Sequence, residues 1–99
     1  MRLLAELLEA VSSETPAGGR SVAYESVGWI WLKPGARRRR ERDEPGGPRV
    51  IETLTAETRR DPRLSPGRVL RVSGGDWRLA MIADGEGTGR VKLTLERDR

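Results

Sequence analysis

Arg37 to Arg40 are the residues whose type and spacing best suit a chemical task, because four consecutive guanidinium groups match the geometry of phosphates. Arg42 extends the run, but Glu41, Asp43 and Glu44 interrupt it. Residues 37 to 44 therefore carry five arginines against three acids, a net charge of +2. A dedicated phosphate clamp does not normally carry its own competitor, whereas a segment that must hold a polyanion and then let it pass can. The rival reading is a solvated charged loop with no ligand.

Other candidate chemistry is weaker. Acid-base work needs two carboxylates in an apolar pocket, and the acids here sit beside arginines or in loops. Gly85, Gly87 and Gly89 imitate a phosphate-cradling loop, but no helix pattern follows and the lysine and serine of a P-loop are missing. Trp29, Trp31 and Trp77 could serve as base-stacking platforms. In a chain without Phe they are expected instead to fill the core. With no His and no Cys, thiol nucleophiles, the commonest metal ligands and the commonest general base are all absent. No enzyme chemistry, metal or cofactor is expected.

The 99 residues suit one domain, 1–99, with one modest core. Hydrophobic residues make up 35% and charged residues 34%, with arginine far ahead of lysine and a net charge of +4. This balance suits an acidic or nucleic-acid partner, and it also suits simple solubility. No apolar run approaches a membrane span, so no membrane partner is expected. Glu6 and Glu9 interrupt the leucine-rich start, which argues against a signal peptide.

The elements that position these residues read as strands. Pro66 to Ile82 forms the organising hairpin, with Gly74 and Gly75 expected as the two φ > 0 residues of a type I′ turn. That turn sets Val72 opposite Trp77, Leu70 opposite Leu79 and Arg71 opposite Arg78. Leu70, Val72, Trp77 and Leu79 then form an apolar face. Arg71 and Arg78 oppose like charges, which calls for water or for a carboxylate from elsewhere, a neighbouring subunit included. They are therefore candidate interface residues.

Ser21 to Lys33 reads as a strand that bends at Gly28 and ends at Pro34 and Gly35. Residues 35–48 contain almost nothing to bury and are expected to be a mobile loop. Arg49 to Arg59 reads as a strand. Val91, Leu93 and Leu95 point inward from a last strand, with Arg90, Lys92, Thr94 and Glu96 outward. Trp29, Trp31, Leu70, Val72, Trp77, Leu79 and Leu93 make up the expected core. Residues 2–11 have helical spacing of Leu3, Leu4, Leu7, Leu8 and Val11. Five or six strands with regular turns predict an all-β fold, a small antiparallel barrel or sandwich.

The order Pro16-Ala17-Gly18-Gly19-Arg20, Trp29-Ile30-Trp31-Leu32-Lys33-Pro34, Ser65-Pro66-Gly67-Arg68-Val69-Leu70, Gly74-Gly75, Trp77-Arg78-Leu79 and Lys92-Leu93-Thr94-Leu95-Glu96 is similar to a known family. It resembles the head-tail joining proteins of tailed bacteriophages, also called head closure, stopper or head-tail adaptor proteins, with relatives in gene transfer agents. The resemblance spans nearly the whole chain and implies a small β-barrel of about six strands. It makes residues 2–11 a strand despite their helical spacing.

The implied role is structural: a ring of copies, hexameric or dodecameric, below the portal. Its neighbours would be a portal-side adaptor and a tail terminator or tail tube, with packaged double-stranded DNA passing through the channel. Such a protein assembles in the bacterial cytoplasm and resides at the head-tail interface of the particle. The long loop of the family corresponds to residues 35–48, which would place Arg37, Arg38, Arg39, Arg40 and Arg42 toward the channel. The alternative is a free-standing small-barrel nucleic-acid-binding module.

Overall fold

The computed structural model describes residues 1–98. It contains six strands: β1 (Leu3–Glu14), β2 (Arg20–Glu44), β3 (Gly47–Arg59), β4 (Val69–Val72), β5 (Gly75–Asp84) and β6 (Arg90–Asp98). They pair antiparallel in the order β1-β2-β3-β6-β5-β4, and β4 pairs back onto β1 to close a barrel. Closure leaves no free sheet edge around the wall. The all-β barrel expected from the sequence is the fold found.

Alternating side chains fill the interior. Ala5 and Leu7, Ile30 and Leu32, Leu54 and Ala56, Leu70 and Val72, Trp77 and Leu79, and Val91, Leu93 and Leu95 are all buried, and Leu64 joins them from a loop. The inward and outward residues of β6 fall as the alternation predicts. Residues 3–14 are a strand although their leucines are spaced for a helix. β2 on one side and β4 on the other supply backbone partners, and the barrel buries Ala5 and Leu7 completely. Tertiary pairing here overrides local propensity.

β2 is 25 residues long because its two breaks are absorbed as bulges. At Gly28 (φ +150°) the register against β1 shifts between Leu7 and Leu8. A Cβ at Gly28 would lie 2.0 Å from the Arg63 guanidinium, which bridges to Asp61 at 2.7 Å over this bend. The second register shift lies between Pro34 and Arg37. Pro34 and Gly35 therefore bend the strand instead of ending it.

The 35–48 loop expected from the sequence is corrected on the same ground. Arg37 to Glu44 pair residue by residue with Gly47 to Leu54, and Pro45-Gly46 makes the turn. Main-chain pairing needs no apolar side chain, so composition alone does not reveal it.

Two further expectations change. The β4–β5 turn is Ser73-Gly74, with φ of 50° and 78°, not Gly74-Gly75. Leu70 faces Trp77 and Arg71 faces Asp76. Moving a two-residue turn by one position shifts every pair by two, so the apolar face survives while the partners change. Gly75 opens β5 instead, where a Cβ would lie 2.6 Å from the Arg97 guanidinium.

Trp29 and Trp31 are not core residues: they are 56% and 59% exposed, on the outer face of β2. The Gly28 bulge changes the alternation so that Ile30 and Leu32 point inward.

Trp77 is 3% exposed and central to the core. Trp77→Ala is expected to cost about 3–5 kcal/mol in denaturant unfolding, whereas Trp29→Ala and Trp31→Ala in the isolated chain cost less than about 1 kcal/mol. Comparable losses at all three positions would overturn this assignment of faces.

Candidate functional site

The β2–β3 ribbon sorts its arginines by face. In an antiparallel pair, directly opposed residues share a face. Arg37 lies opposite Leu54 and Arg39 opposite Glu52, on the face continuous with the barrel interior. Arg38, Arg40 and Arg42 lie opposite Thr53, Ile51 and Arg49, on the other face. Along that strand they recur at intervals of about 6.8 Å.

The first pair of arginines is committed to structure. Glu52 is 1% exposed and takes Arg37 at 2.7 Å, Arg97 at 3.4 Å and Arg39 at 3.9 Å. The Arg97 and Arg37 guanidinium carbons stand 4.2 Å and 5.5 Å from the centre of the Trp77 ring. One end of the barrel core is thus capped by a carboxylate, its arginines and an indole face. Burial pushes the Glu52 carboxyl up, but Arg37, Arg97 and Arg39 outweigh it and hold the group below the usual carboxylate range. The sequence shows no sign of this cap, because Glu52 occupies what reads as an ordinary alternating strand position.

The second set is unencumbered. Among the described residues, Arg38, Arg40 and Arg42 have no carboxylate within salt-bridge distance, and all three are exposed. Arg49, on the same face, is held by Glu44 at 3.2 Å and by Asp98 on β6. The expected run of five arginines therefore divides into two that anchor the ribbon and three that are available to a ligand.

Arg71 and Arg78 do not oppose each other. Arg71 binds Asp76 at 2.8 Å and approaches Glu6 at 3.9 Å, and Arg78 binds Glu96 at 2.9 Å. Their charges are met within the chain, which removes the reason for placing them at an interface. Hydrogen bonds from Arg71 and Arg63 hold the Asp76 and Asp61 carboxyls low as well.

A cleft of about 500 Å³ lies beside these pairs, lined by Arg42, Arg49, Arg78 and Arg97 and by Glu44, Asp76, Glu96 and Asp98. Of these, the Asp76 carboxylate, held ionised by Arg71, makes a poor proton donor at neutral pH. Among the described residues, no group of three His, Cys, Asp or Glu side chains stands close enough to hold a metal ion.

A carboxyl lowered on folding stabilises the fold fully above its unfolded pKa, near 4, and loses that contribution as pH falls through the folded value. Glu52→Gln is therefore expected to lower the Tm at pH 7, with the deficit against the parent chain shrinking as pH drops below about 4. A deficit that is the same at pH 7 and pH 3 would show that Glu52 acts through shape and not charge.

No protein-family model matches the chain, and no curated protein matches it. Its fold does match a solved chain described as "Virion of native gene transfer agent (GTA) particle", with a TM-score of 0.76 and 22% identity. The match covers 100% of this chain and 97% of that one. At this identity the likeness is one of fold: the same small β-barrel, end to end.

Proposed function

We propose that this chain is a structural component of a tailed phage or phage-like particle, seated at the head-tail junction. Copies form a ring below the portal, join head to tail and help retain the packaged duplex DNA. The observation that carries the reading is the fold likeness to a chain of a gene transfer agent virion, which spans both chains almost completely. The order of turn and strand motifs supports it independently. The portal-side adaptor and the tail terminator or tail tube are the neighbours this reading assigns.

The ribbon supplies the DNA contact. Arg38, Arg40 and Arg42 form a row of free guanidinium groups on one face, rooted in the barrel by Glu52. Duplex DNA presents one negative charge per ~1.7 Å of axis, so a ring of such rows makes a salt-sensitive hold. Glu41 and Asp43, on the opposite face, limit that hold and suit a gate that later releases its cargo.

A second reading, a free-standing nucleic-acid module, is favoured by one observation. Trp29 and Trp31 are exposed beside Arg2, Lys33, Arg59 and Arg90, which outnumber Glu57 and Asp61 around the same hollow. Binding of single strands by an isolated monomer would support that module over the ring component.

The deciding experiment uses particles carrying Arg38→Ser, Arg40→Ser and Arg42→Ser. Folding and incorporation are expected to persist while nuclease-resistant DNA falls, more steeply as salt rises. Arg37→Ser is expected instead to lower the Tm. Full DNA retention by the triple variant at every salt concentration would end the gating role, and absence of the chain from particles would end the junction role.

A further inference from the structure

Two surfaces of the molecule lack a partner, and they complement each other. The first is the outer face of β1 and β2 near the barrel wall. Leu4 lies opposite Trp31 and Glu6 opposite Trp29, and Leu4, Trp29 and Trp31 are 44%, 56% and 59% exposed. A hollow of about 230 Å³ adjoins the two indoles, with Arg2, Lys33, Arg59 and Arg90 on its rim together with Glu57 and with Asp61, which is held by Arg63, so the rim is net positive. None of these four cations has a carboxylate within salt-bridge distance among the described residues. Exposed indoles next to unpaired cations call for an occupant that is both apolar and acidic.

The second surface is the hairpin formed by residues 8–26. Beyond Leu8, β1 has no partner in β4, and before Lys33, β2 has no partner in β3. The hairpin is thus a two-stranded ribbon with both edges open, and residues 20–26 are all exposed. Such a ribbon is marginal in water without a covering surface. Val22 and Tyr24 stand on it 60% and 54% exposed. Glu9 is held by Arg68 at 3.0 Å, and the remaining charges, Glu14, Glu25 and Arg20, leave the hairpin at −1 in a chain of net +4.

We propose that the 8–26 hairpin of one copy seats on the Trp29–Trp31 face of the next, burying Val22 and Tyr24 against the indoles. The net-negative hairpin meets the net-positive rim, which favours this register over contact between like surfaces. Both surfaces lie along the same continuous β2, so the hairpin cannot fold back onto its own tryptophans. Each copy therefore gives with one surface and receives with the other. Such a head-to-tail contact closes into a ring or extends into a filament. The inference rests on the ring reading above and supplies its subunit contact.

The chain has no cysteine, which permits a clean test. Leu4→Cys and Ser12→Cys are introduced together, the first beside Trp31 and the second beside Val22. Within one copy they lie roughly 26 Å apart along the strand, beyond the reach of a short bifunctional maleimide. Treated particles are expected to give a ladder of linked multimers, and either single cysteine alone no ladder.

In a second arm, Trp29→Ser with Trp31→Ser, and separately Glu14→Lys with Glu25→Lys, each weaken self-association of the folded chain at least tenfold. Monomers only, or a linked dimer that never extends, overturns the contact while leaving the junction reading standing. Absence of the chain from particles overturns the junction reading instead. If the tryptophan variant loses oligo-dT binding while self-association is unchanged, the face is a nucleic-acid platform and the proposal falls.

Discussion

The buried carboxylate of Glu52 is the constraint on which the working end of this molecule depends. A charge at 1% exposure is tolerated only when cations meet it, and here Arg37, Arg39 and Arg97 converge on it from two strands. Arg37 and Arg39 come from the root of the ribbon, and Arg97 comes from β6. Loss of any one of them leaves the others to compensate a charge that cannot reach water. The ribbon is thereby fixed to the core through polar contacts at the place where apolar packing runs out. Trp77 links the two regimes, with its edge among leucines and its ring face under two guanidinium groups.

Much of the barrel was legible in the sequence. The alternation of Val91, Leu93 and Leu95 and the apolar face of Leu70, Val72, Trp77 and Leu79 survive unchanged, because a period of two fixes a face regardless of register. Register itself was not legible. Ser73 accepts a positive φ that glycine would take more readily, and the pairing of β4 with β5 that puts it there depends on packing outside the hairpin's own letters. The outward turn of Trp29 and Trp31 was hidden for a similar reason. A single bulge residue reverses which side chains face inward; Gly28 marks the bend in the sequence, but not which face the tryptophans take after it.

The ribbon shows the converse limit. Composition predicts an unstructured segment wherever apolar residues are missing, yet ladder hydrogen bonds require only a backbone partner in register. The arginine run was visible as charge, but its division into anchoring and available members was not. That division needs the face of each residue and the position of Glu52, and both come from pairing between strands.

β2 runs unbroken from the tip of one projecting ribbon, through the barrel wall, to the tip of the other. Ladder hydrogen bonds lie across the strand direction. Tension applied between the two tips therefore acts on β2 lengthwise and loads its bonds to β1 and β3 together, in shear. Pulling a hairpin open from its free end would instead break them one after another. A subunit held at one end and tugged at the other is in this sense a tie-rod, and the two bulges at Gly28 and Gly35 are its places of give.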